Sequence, residues 1–109
     1  MNRLEKMVAD AILEIIDAAL KTDTEEELYD VFREFDLTFY DDDCSIVHTD
    51  VLLDVLNDYF NFGFMLPEQL NVLLPNVCNV LGLKYERHDP QEDDDNVTEY
   101  LVYLFGHHE

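Results

Sequence analysis

The sequence predicts a small α+β domain, rich in helix (about four helices) and closed by a C-terminal β-hairpin. Three observations carry this. Apolar residues recur at helical spacing through most of positions 2–81, and two runs of branched and aromatic residues, 83–88 and 97–105, flank an acidic loop. The length of 109 residues makes a single domain, 1–109, because chains usually divide only well above that size. Leu, Ile, Val and Phe make up about a third of the chain, enough apolar material for a core.

The first helix is predicted over residues 2–21. Leu4, Val8, Ala11, Ile12, Ile15 and Ala19 fall on one side, with Asp10, Glu14 and Asp17 on another. Thr22 to Thr24 carry turn and N-cap chemistry. Glu25, Glu26 and Glu27 then fill a first turn where the helix dipole favours anions, and Leu28, Val31, Phe32 and Phe35 extend a second helix to about Phe35. Leu37 to Tyr40 and Cys44 to His48 read as short strands of a small hairpin, turning through Asp41 to Asp43.

Thr49 or Asp50 can cap a third helix to about Phe60, ended or bent by Gly63. Pro67 suits the first turn of a fourth helix, and Pro75 inside its apolar pattern predicts a kink or two consecutive short helices before Gly82 closes the segment. Helix, helix, helix and hairpin is the element order of a winged-helix domain, a DNA-binding architecture. A DNA-reading version would carry Lys or Arg where this chain has Asp54, Asp58, Glu68 and the acidic hairpin loop.

Charge is the most informative property. Against 26 acidic residues stand six basic ones, for a net charge of -20. Direct binding to nucleic acid or to an anionic membrane is disfavoured, since both require Lys and Arg. From Glu34 through Leu83, and again from His88 onward, no Lys or Arg occurs. A globule of this mass exposes roughly 6,300 Å², about one net charge per 300 Å², against roughly one phosphate per 100 Å² of a DNA cylinder. Imitation of DNA therefore requires the acids to gather on one face or ridge.

Four clusters could do so: the outward side of the first helix; the start of the second, with Asp23, Glu25, Glu26 and Glu27, then Asp30 and Glu34; the turn Asp41, Asp42, Asp43; and the hairpin loop Asp89 to Asp95, with Glu92, Asp93, Asp94 and Asp95. Like charges at helical spacing repel by a few tenths of a kcal/mol per pair while steering basic partners. The leading expectation is an acidic inhibitor protein, similar in kind to small phage-encoded proteins of anti-restriction or anti-CRISPR type. It would act as a DNA mimic in the nucleic-acid site of a host defence or DNA-processing protein. The alternatives are an immunity protein neutralising one basic toxin nuclease, and an acidic adaptor.

Catalytic and metal patterns do not emerge. Aligned on Asp41, a calcium loop would need Gly at Ile46 and Glu at Leu52; aligned on Asp93, its last ligand would be Leu104. His48, Asp50 and Asp54 read as cap and surface residues, and adjacent His107 and His108 lack further ligands. Cys44 and Cys78 lack a C-x-x-C partner and read as buried reduced thiols. No enzyme, cofactor or metal is expected. No apolar stretch resembles a signal peptide or membrane span, so a cytoplasmic protein is expected, in the host cytoplasm if phage-encoded. The stretch Tyr59, Phe60, Phe62, Phe64, Met65 and Leu66 reads as core, its alternative being a homodimer or partner surface.

Overall fold

In the computed structural model, which describes residues 2–39, 45–88 and 99–105, the first apolar stripe folds as α1, Arg3–Leu20. Asn2 caps it reciprocally with Glu5. The Asn2 side chain accepts the Glu5 N–H at 2.8 Å, and the Glu5 carboxylate accepts the Asn2 N–H at 2.9 Å. Thr24 caps α2, Glu25–Phe35, by accepting the Glu27 N–H. The second helix ends where Asp36 turns left-handed (φ 60°), and the Leu37 N–H reaches back to the Phe32 carbonyl at 2.9 Å.

That ending overturns the expected strand over 37–40. Leu37 is consumed by the helix cap and buried, and Phe39 packs its ring edge-on against Phe32 at 4.6 Å between centroids. Leu37–Phe39 form no strand, and the expected turn 41–43 lies outside the described residues. The second limb of that hairpin does exist as β1, Ile46–His48, but its partner is a strand from the end of the chain.

The third helix also departs from expectation. His48, not Thr49 or Asp50, is its N-cap, with the ring Nδ1 accepting the Asp50 N–H at 3.1 Å. Thr49 is instead buried, and its hydroxyl accepts the Tyr100 N–H from the neighbouring strand at 3.4 Å. The α-helix α3 covers Thr49–Asp54 and continues as one π-helical turn, Val55–Tyr59. It stops before Gly63, with Asn61 left-handed.

Helix α4, Pro67–Leu81, starts at Pro67 and ends at left-handed Gly82, and it runs through Pro75 as one element instead of two. The C-terminal hairpin forms as expected: β2, Tyr85–His88, pairs antiparallel with β3, Glu99–Tyr103. β3 is central in the order β1-β3-β2, with Val47 opposite Val102. The domain is α+β: the described residues form four α-helices beside a small antiparallel sheet, and from α2 onward they keep the helix, helix, helix, hairpin order with β1 interposed.

One cluster of buried side chains joins these elements. Ile12 and Ile15 come from α1, Leu52 from α3, Leu70 and Leu74 from α4, and Val47 and Val102 from the sheet. Cys78 is buried here as a free thiol, while Cys44 lies outside the described residues. The 59–66 stretch divides: Met65 is buried, Phe60 and Phe62 pack partly against the core, and Tyr59, Phe64 and Leu66 are exposed. Among the described residues, no helix is long and apolar enough to cross a membrane.

Candidate functional site

The acids singled out on α2 are exposed, but they do not form one patch. Consecutive helical residues point about 100° apart, so Glu25, Glu26 and Glu27 fan around the first turn. Glu27 is engaged locally, its carboxylate accepting the Asp23 N–H at 2.8 Å. Asp30 is paired with Arg33. Positions 27, 30 and 34 do share one side of α2, at helical spacings of three and four residues. Asp41, Asp42, Asp43, Glu92, Asp93, Asp94 and Asp95 lie outside the described residues.

That side of α2 ends in a feature the sequence reading missed. A cleft of about 180 Å³ opens between the end of α2 and the junction of α3 with the π turn. Its carboxylates are Glu34 and Asp36 from the first element and Asp54 and Asp58 from the second; buried Phe35 and Val55 complete its lining with Tyr59. No Lys or Arg pairs with any of the four acids among the described residues.

Tyr59 stands in the middle of this arrangement. Its ring packs on Phe35 at 4.5 Å between centroids and on Phe60 at 5.0 Å, and 38% of the residue stays exposed. Its hydroxyl donates a hydrogen bond to the Glu34 carboxylate at 3.2 Å. The phenol pKa is raised above its ordinary value by partial desolvation first, then by that hydrogen bond and the charge of Glu34, with Glu14 of α1 adding to it. The negative charges that act on this phenol thus come from two helices, α2 and α1.

The sequence groups Glu34 with the acidic cluster of the second helix and sets Asp54 and Asp58 on the outward side of the third. Asp54 and Asp58 form an i,i+4 pair and Glu34 lies at the end of α2, but no local signal tells that these two segments meet. The one hint was the base-free stretch that begins at Glu34. Among the described residues, no three His, Cys, Asp or Glu converge as metal ligands. Four carboxylates spread around an aromatic wall suit an organic cation, the ammonium of Lys or the guanidinium of Arg, which can pair with the rim and lie against a ring. Comparison with protein-family models, curated proteins and solved structures found no match.

Proposed function

We propose that this chain is a non-catalytic acidic inhibitor protein that acts as a DNA mimic. It blocks the nucleic-acid-binding site of a host defence or DNA-processing protein, in the manner of anti-restriction or anti-CRISPR proteins, and works in the cytoplasm. The observation that carries the reading is the cleft of Glu34, Asp36, Asp54 and Asp58, four acids with no cationic partner among the described residues, continuing the side of α2 that carries Glu27 and Asp30.

A net charge of -20 over 6,721 Å² of surface is one charge per about 340 Å², so mimicry depends on such local gathering. Carboxylates would pair with the Arg and Lys that otherwise hold phosphates, and the target's DNA would be excluded with no bond made or broken. Tyr59 favours a second reading. A half-exposed aromatic among charges is the kind of anchor that concentrates binding energy at one cognate interface, as an immunity protein against a basic nuclease requires.

Capture from a host lysate at increasing salt separates the two. The mimic should retain several DNA-processing proteins at low salt and release them as salt rises, and should displace labelled duplex DNA from them competitively. Inhibition of one cognate nuclease alone, with no displacement of DNA from other DNA-processing proteins, would replace this reading with the immunity one. Capture of basic proteins without displacement of DNA would leave an acidic adaptor.

A further inference from the structure

Helix α1 presents a second surface, of different chemistry from the cleft. Leu13, Ile16 and Leu20 lie on one side at spacings of three and four residues. Leu13 is 46% exposed and Leu20 75% exposed, although neighbouring positions on the same helix supply the core. About a quarter turn away, Asp10, Glu14 and Asp17 run parallel to them. The two rows line a shallow hollow of about 510 Å³. Lys21 pairs with Asp17 at its far end, at 3.0 Å, while Arg3 and Lys6 lie in the turns before Asp10.

We infer that this face of α1 docks an amphipathic helix of a partner protein, one with two or three apolar anchors and Lys or Arg along one edge. The exposed Leu row supplies apolar area that a purely electrostatic contact would not need, and an apolar helix face laid along another is a recurring mode of recognition. The flanking carboxylates select its sign. They match a cationic edge and oppose a second copy of this chain, whose net charge is also -20. Because apolar burial is not screened by ions, this contact should outlast the cleft's ion pairs as salt rises. The inference requires a cationic helix only and stands whether or not the chain competes with DNA.

The test uses the full chain and an 18-residue Leu/Lys peptide that folds as an amphipathic helix, with a scrambled peptide of equal composition as control. At 0.3 M NaCl, amide shifts on titration should centre on residues 10–20. The double variant Leu13→Ser, Leu20→Ser should lose at least tenfold in affinity with its spectrum otherwise unchanged, while Glu25→Gln with Glu26→Gln should change it less than twofold. Equal binding of the scrambled peptide, shifts centred on the cleft instead, or a dimer of the chain that the Leu variants dissolve would each overturn the assignment.

Discussion

The Tyr59 hydroxyl donates to the Glu34 carboxylate across 25 positions of sequence, tying the π turn to the end of α2. This bond closes one side of the acidic cleft and holds a carboxylate and an aromatic ring together at its wall. The ionisation of the Tyr59 phenol is therefore coupled to the geometry of the cleft itself.

Tyrosine absorbance read against pH tests this relationship. Tyr59 should ionise above the ordinary phenol value, because desolvation and the Glu34 charge both oppose a phenolate. Glu34→Gln should move its titration back toward the ordinary value, and Tyr59→Phe should remove the late component altogether. A Glu34→Gln curve that overlays the parent would show that Glu34 does not set the shift.

Asn57 predicts a stability effect beside the same turn. Its amide donates to the Met65 carbonyl at 3.0 Å and accepts the Met65 N–H at 3.2 Å, fastening the loop that follows to the π turn, which contains Asn57. Met65 is buried, so Asn57→Ala leaves two backbone groups poorly satisfied and should cost about 1–3 kcal/mol in urea unfolding. Asn57→Asp should not restore the loss, because its carboxylate would face the Met65 carbonyl.

These two tethers show where sequence reading stops. The stripe of α1, the Thr24 cap, the Pro67 start and Gly82 end of α4, and the final hairpin are all written in local spacing and capping chemistry, and they form. What was illegible depends on contacts between distant segments. Leu37 has the side chain of a strand residue, but the Phe32 carbonyl claims its N–H. The π turn requires Phe60 to bond back to Val55, which no periodicity announces. The cleft has the same origin: Glu34 and Asp58 line one cleft only because the end of α2 packs on the π turn, Phe35 against Tyr59.

Asp36 tests whether the cleft is held at a cost to stability. A non-glycine residue at φ 60° is unfavourable, and a negative charge at a helix C-terminus opposes the dipole. Asp36→Gly should therefore stabilise the fold by about 1–2 kcal/mol in urea unfolding, and Asp36→Asn by less. Under the proposed function, the same glycine variant should bind basic partners more weakly, so stability and binding move in opposite directions. An equal gain in both would remove Asp36 from the binding surface.

Cys78 sets the alkaline limit of stability. Burial raises its thiol from 9.0 to about 12, so in the folded chain it stays protonated where the unfolded chain has already ionised. The unfolded state then binds fewer protons, and stability is full below pH 9.0 but falls as pH rises toward about 12, by up to about 1.4 kcal/mol per pH unit. Tyr59 acts in the same direction. In a Cys44→Ser background, a thiol reagent at pH 8 should label the native protein only as fast as it unfolds. Cys78→Ala should lower stability at pH 8 yet flatten its decline from pH 9 to 11. A decline of unchanged slope in that variant would assign the alkaline transition to other groups.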